Sequence, residues 1–187
     1  GSVKGPIHQA VKDLGMESSF IGGHPMAGTQ FSGFKYSCAS MFDKASMILV
    51  PQKDEKIEVL ENVKKLLVMI GFKSVTITSA DEHDKIIAYT SQLAHVVSNA
   101  YVKSPNARVH KGFSAGSYKD LTRVAKLNSD MWTELFLENG DNLTFEIDLL
   151  IENLKKLINE NYNNRLLIKN VGELQCSPFF FGINLLN

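Results

Sequence analysis

The stretch MILVPQKDEKIEVLENVKKLLVMIGFKSVTIT, residues 47–78, sets two short extended runs around one amphipathic segment. Met47, Ile48, Leu49 and Val50 form an apolar run that Pro51 stops, and Val75, Thr76, Ile77 and Thr78 form a β-branched run. Between them Val59, Leu60, Val63, Leu66, Leu67 and Ile70 recur at helical spacing, with Asp54 placed to cap the start and Gly71 to close the end. Strand, helix and strand in that order predict the closing part of an α/β sheet. Upstream, Ser18, Ser19, Phe20, Ile21, Gly22 and Gly23 read as a further strand running into a glycine turn.

Downstream of Ala80 the extended runs stop. Ile86, Tyr89, Leu93, Val96, Val97 and Ala100 predict a helix over residues 81–102, and Leu121, Val124 and Ala125 a segment near 117–127. Asn128 or Ser129 caps a short helix through Met131, Leu135 and Phe136 that ends at Asn139 and Gly140. Leu143, Ile147, Leu150, Ile151, Leu154, Leu157 and Ile158 line one face of a longer helix beyond Asp141 and Asn142. The expected organisation is an α/β part over 1–79 and an all-helical part over 80–187. The tail from 165, with Phe179, Phe180 and Phe181, is apolar without periodicity and is expected to pack on the core or on another subunit.

With 20 basic and 20 acidic side chains in 187 residues, the charge balance offers no footprint for nucleic acid or an anionic membrane. No apolar run approaches the roughly 20 residues that span a bilayer, and a cytoplasmic protein is expected. Cys38 and Cys176 fit neither a disulfide framework nor a metal pair and read as reduced thiols. No Cys/His cluster has zinc spacing, no Ser or Cys lies in a nucleophile motif, and neither common phosphate-binding glycine motif occurs.

Three segments carry chemistry. In G-G-H-P-M-A-G at 22–28, His24 is held between glycines and a proline at the rim of the sheet, where ligands of α/β proteins sit. An imidazole fixed there could take a proton from a substrate hydroxyl, or it could simply tie the backbone together by hydrogen bonds. On the helix after Asp81, a second face carries Asp84, Ala88, Ser91, Gln92, His95, Ser98 and Asn99. From Ser91 to Asn99 this face carries small neutral polar groups and one histidine, which fit the lining of a polar cavity and fit a hydrogen-bonded helix contact equally well. In the third segment, 116–125, Lys119 and Arg123 are four apart, as an anion site between two cations requires and as an ordinary surface with Asp120 as local partner also allows.

Taken in order, these segments resemble the prephenate and arogenate dehydrogenase family. The resemblance rests on G-S-V-K-G at 1–5, G-G-H-P-M-A-G at 22–28 followed by Thr29, Ser32 and Gly33, and the pair His83 and Asp84 leading into the long helix. G-S-Y-K-D-L-T-R-V-A at 116–125 with Met131 and Trp132 completes it, over residues 1 to about 162. It implies that residues 1–79 are the closing part of a Rossmann-type nucleotide-binding domain and 80–187 a helical dimerisation and substrate-binding domain. By the same resemblance His24 is the catalytic base, oriented by Ser2, and Arg123 grips a carboxylate of prephenate. His95 lines the same pocket, Gln92 stands where the family has another histidine, and Lys119, Thr29 and Gln30 lie near the substrate. Ser2, Gly23 and Gly28 fall on the cofactor side.

The implied reaction is the NAD-dependent oxidative decarboxylation of prephenate to 4-hydroxyphenylpyruvate in tyrosine biosynthesis, by a homodimer. NADP is an alternative cofactor, and arogenate an alternative substrate. A non-catalytic helical dimerisation module is the reading from another class. In the family a G-x-G-x-x-G strand-turn-helix precedes the segment that begins at Gly1. The expectation is therefore of a fragment that binds NAD poorly and turns over little by itself.

Overall fold

The computed structural model describes residues 2–28 and 33–163. Two compact units are distinguished, Gly1–Leu143 and Thr144–Asn187.

The first unit opens with helix α1, Gly5–Asp13, an element not expected from local spacing; Pro6 in its first turn supplies the fixed φ that a helix start accepts. A three-stranded sheet follows, β1 (Gly22–Met26), β2 (Ser46–Val50) and β3 (Ser74–Ile77), in the order β1-β2-β3. Strands β2 and β3 are parallel and joined by helix α2, Ile57–Ile70, which is the strand-helix-strand unit that residues 47–78 predict. Strand β1 runs antiparallel to β2, with His24 opposite Ile48.

Two local expectations are corrected. The first extended segment begins at Gly22 rather than Ser18, since Glu17–Ser19 forms a 3-10 turn. Gly22 and Gly23 are therefore strand residues and not a turn. Gly22 is crowded on two sides, since an added Cβ would lie 2.7 Å from His8 Nε2 and 3.0 Å from the Val50 carbonyl oxygen, whereas one on Gly23 would meet only the mobile end of Met47, at 2.7 Å. Pro25 is tolerated because β1 is an outer strand among the described residues. Helix α2 starts after Lys56 with no side-chain cap, so Asp54 does not cap it, whereas Gly71 ends it with φ 114° in the left-handed region.

The sheet half is cored by Leu49, Leu67 and Phe72, with Ile21, Phe42, Met47, Val63 and Val75 packed around them. Val59, Leu66 and Ile70 of the predicted stripe stay exposed, so only part of it is buried by this core.

The helical half starts at α3, Ala80–Ile87, capped by Ser79, whose hydroxyl accepts from the Glu82 amide. A π-helical stretch, Ala88–Leu93, continues it into α4, Ala94–Tyr101. Helix α5 spans Gly116–Thr122, and α6 spans Ser129–Glu138 with Asn128 as its cap. Helix α7, Gly140–Asn163, carries the chain into the second unit. From Thr144 onward that unit is one helix among its described residues, with Phe145, Leu149, Ile151, Leu154, Leu157 and Ile158 exposed. The apolar tail from 165 lies outside the described residues, as does Cys176; Cys38 is an exposed free thiol.

Candidate functional site

Strand β1 carries His24 half-buried, and its Nδ1 lies 2.9 Å from Nε2 of His83 on the first turns of α3. The two rings are 5.1 Å apart and tilted by 54°, which fits a hydrogen bond through the ring edges rather than stacking. His83 is almost completely buried, and its Nδ1 lies 2.7 Å from Oδ1 of Asp84. Asp84 in turn accepts the backbone amides of Lys4 at 2.8 Å and Gly5 at 2.7 Å. Those amides stand at the entry to α1, where the helix itself supplies no acceptor and an anion is favoured. One continuous polar chain thus runs from the start of α1 through Asp84 and His83 to His24.

Electrostatics follow from the burial. Removal from water pushes the Asp84 carboxyl upward, but the hydrogen bonds from His83 and from the amides of Gly5 and Lys4 outweigh it and hold the group below its ordinary value. His24 is moved the other way for an imidazole: burial, then the charges of Lys4 and His83, lower it from 6.5 to about 4, with Asp84 opposing. It is therefore neutral at neutral pH. Nε2 of His24 has no partner among the described residues.

A second polar layer supports Asp84 from behind. The Asn139 amide donates to the Asp84 carbonyl at 2.9 Å and to Gln92 Oε1 at 2.8 Å, while Gln92 Nε2 donates to the Leu135 carbonyl. Asn142 donates to Asn139 Oδ1. Of the small polar face on the long helix, Gln92 and Ser98 thus prove to be packed helix contacts, the Ser98 hydroxyl donating to the Leu121 carbonyl at 2.6 Å. Both ends of the Gln92 amide are taken by protein.

His95 is half-buried one turn further on. Its Nδ1 is 2.9 Å from the Val124 carbonyl, and its ring lies 3.8 Å from Trp132. That bond fastens α4 to the residue after Arg123, which sits exposed at the end of α5. Lys119 is also exposed, and the Arg123 amide donates to its carbonyl. No hydrogen bond or ring contact joins Arg123 to His24 among the described residues. Ser2 is half-buried and its hydroxyl makes no hydrogen bond among the described residues; Gly23 lies within β1 and Gly28 just beyond it. Thr29 and Gln30 lie outside the described residues. Asn139 is the member of the network that local spacing cannot reveal, because its partners are 47 and 55 residues away.

The chain matches two family models in succession: the prephenate dehydrogenase nucleotide-binding domain over residues 1–76 and the prephenate dehydrogenase dimerization domain over 79–167. It is 33% identical over 167 residues to a prephenate dehydrogenase of Lactococcus lactis, which covers 86% of this chain and 44% of that protein. It is 30% identical to a cyclohexadienyl dehydrogenase of Zymomonas mobilis over 84% of this chain and 55% of that one. The chain thus spans about half the length of these curated relatives. Among solved structures, prephenate dehydrogenase from Aquifex aeolicus in complex with hydroxyphenyl propionate and NAD+ superposes with a TM-score of 0.80 at 31% identity. It covers 94% of this chain and 63% of that one. An arogenate dehydrogenase from Synechocystis gives 0.78 at 25% identity, over 92% of this chain and 64% of that one.

Proposed function

The chain belongs to the prephenate dehydrogenase family, and we propose that it supplies the proton-handling and substrate-gripping half of an NAD-dependent prephenate dehydrogenase acting in the cytoplasm. The observation that carries this reading is His24: one nitrogen tied to His83, the other without a partner among the described residues, and an imidazole neutral at neutral pH.

The substrate's ring alcohol loses its proton to His24 Nε2. Electron density then rises on the carbinol carbon, whose hydrogen departs with its electron pair. NAD, when bound, takes up that hydride. The ring ketone so formed is conjugated to the carbon that bears the ring carboxylate. The bond to that carboxylate breaks, carbon dioxide leaves, and its electron pair makes the ring aromatic. The resulting phenolate recovers the proton from His24, so the base ends neutral. General-base assistance of this kind is worth about 10²–10⁴ in rate.

Arg123 is proposed to hold a substrate carboxylate through its planar fork, with Lys119 adding positive charge on the same turn. His95 anchors that turn to α4 and adds an imidazole edge to the pocket wall. Arg123 is exposed and no hydrogen bond joins it to His24 among the described residues, so pocket closure is assigned to assembly of a homodimer through the helical domain, whose family model is a dimerization domain.

The residues present fit one end of the cofactor. Ser2, Gly23 and Gly28 are proposed to lie on the nicotinamide side of His24, and an added Cβ on Gly28 would meet nothing within 4 Å among the described residues. The sequence contains no G-x-G-x-x-G turn to cradle a pyrophosphate, so no such contact is assigned to it.

Steady-state turnover of prephenate and of arogenate by the whole enzyme tests the reading. A preference for prephenate is expected; a preference for arogenate would keep the base and change the substrate. Full activity of His24→Ala would leave only the non-catalytic dimerisation module.

A further inference from the structure

A neutral imidazole acts as a base only through the nitrogen that lacks a proton, and its two tautomers differ in which nitrogen that is. Partners therefore decide whether a well-placed histidine works. At the inner end of the chain described above, the ionised Asp84 can only accept, and it already receives two amides. The proton between Asp84 and His83 consequently sits on His83 Nδ1, at a separation of 2.7 Å. In the uncharged form of His83 that carries its proton on that nitrogen, Nε2 is an acceptor, and the facing nitrogen 2.9 Å away, His24 Nδ1, donates to it. That leaves the lone pair of His24 on Nε2.

We propose that His83 and Asp84 are positioning residues that lock His24 into its Nδ1–H tautomer and partner, through one intervening ring, the positive charge it gains when it takes a proton. The inference rests on the assignment of His24 as base and goes beyond it, because it names what makes that base competent. The role is specific to this pair: the Ser2 hydroxyl, to which the family resemblance gives the orienting role, makes no hydrogen bond among the described residues, whereas His83 occupies the His24 nitrogen directly. His83 is 1% exposed and Asp84 5% exposed, so neither is arranged to meet the substrate itself. Through Asn139, which holds the Asp84 carbonyl, the pair is also tied to the end of α6.

The test has two arms, both on the whole enzyme. First, nitrogen-15 NMR of labelled histidine near neutral pH should find His24 carrying its proton on Nδ1; a proton on Nε2 overturns the proposal without any variant having to fold. Second, His83→Leu should lower kcat by about 10²-fold with KM for both substrates changed less than about threefold. His83→Gln, whose amide oxygen can still accept from His24 Nδ1–H, should recover at least about tenfold of that loss. Equal rates for the Leu and Gln variants, or a His83→Leu enzyme at full rate, overturn the proposal while leaving His24 as base. Full activity of His24→Gln would instead remove the base assignment beneath it.

Discussion

The sheet half and the helical half of the first unit bury different materials. The sheet closes over carbon, with Leu49, Leu67 and Phe72 at its centre. The helices close over nitrogen and oxygen as well: His83, Asp84, Gln92, Ser98 and Asn139 are all buried there, and each has a named hydrogen-bond partner. Apolar burial is non-directional and gives a platform, while a satisfied polar network demands one geometry. The sheet therefore presents a side chain, and the helical half dictates how that side chain is oriented.

The sharpest way to break this division of labour is to remove the presented group. His24→Gln in the whole enzyme should reduce kcat by about 10²–10⁴ with little change in thermal midpoint, measured by steady-state kinetics beside calorimetry. An active variant would mean that the sheet presents nothing of chemical value.

Acid stability examines the same residue without catalysis. In the unfolded chain His24 takes up its proton near 6.5, whereas in the fold it does so only near 4. Folding stability contributed by keeping His24 neutral is intact above the unfolded value and is lost as pH falls from 6.5 towards 4. Over that window the native protein should lose about 1–2 kcal/mol more than His24→Gln does, the shift being discounted for solvent screening at a half-buried ring, read by urea denaturation as a function of pH. In kinetics the same sign places the acid limb of kcat/KM below 6.5. Burial, with the charges of Lys4 and His83, pushes it down, and Asp84, the neighbouring anion, pushes it up, so Asp84→Asn should move the limb lower still.

A smaller effect is expected from the ligand contact proposed for the helical half. Arg123→Leu should raise KM for prephenate about 10- to 100-fold, the loss of one charge-assisted contact, while kcat changes less. An equal fall in kcat with unchanged KM would place Arg123 with the reacting atoms instead. Smallest of all, Asn139→Ala leaves the Asp84 carbonyl and Gln92 Oε1 without their donor, and unfolding by denaturant should show a loss of about 1–3 kcal/mol. A neutral result would mean that water replaces the amide and that the polar layer is less demanding than the apolar one.

The parts legible in the sequence are those that local spacing encodes. The two runs at 47–50 and 75–78, the helix between them, Gly71 as its stop and Asn128 as a cap could all be read because each signal lies within a turn or two of the element it marks. His24 could be singled out because a histidine flanked by Gly-Gly and Pro is locally unusual. What could not be read depends on distant neighbours. The glycines at 22 and 23 signal a turn by type, yet they lie in a strand, where Gly22 is crowded by His8 and the Val50 carbonyl. Asp54 has the chemistry of a cap, but the helix begins two residues later than such a cap would place it. The polar face around Gln92 and Ser98 could be resolved only once Leu135, Asn139 and Leu121 were known to stand opposite. The π-helical stretch at Ala88–Leu93 shifts the phase of the long helix midway, so a single 3.6-residue period could not assign its faces.

Asp84 touches the amides at the mouth of α1 and the ring of His83 with a single carboxylate. A slippage of α1 along α3 by a bond length would release that carboxylate and unset the imidazole beyond it, while Leu49, Leu67 and Phe72 would still be in contact. On warming, then, the whole enzyme, with His24 as its proposed base, should fall silent before it melts, and the gap between inactivation and unfolding temperatures would gauge how tightly those two helices are held together.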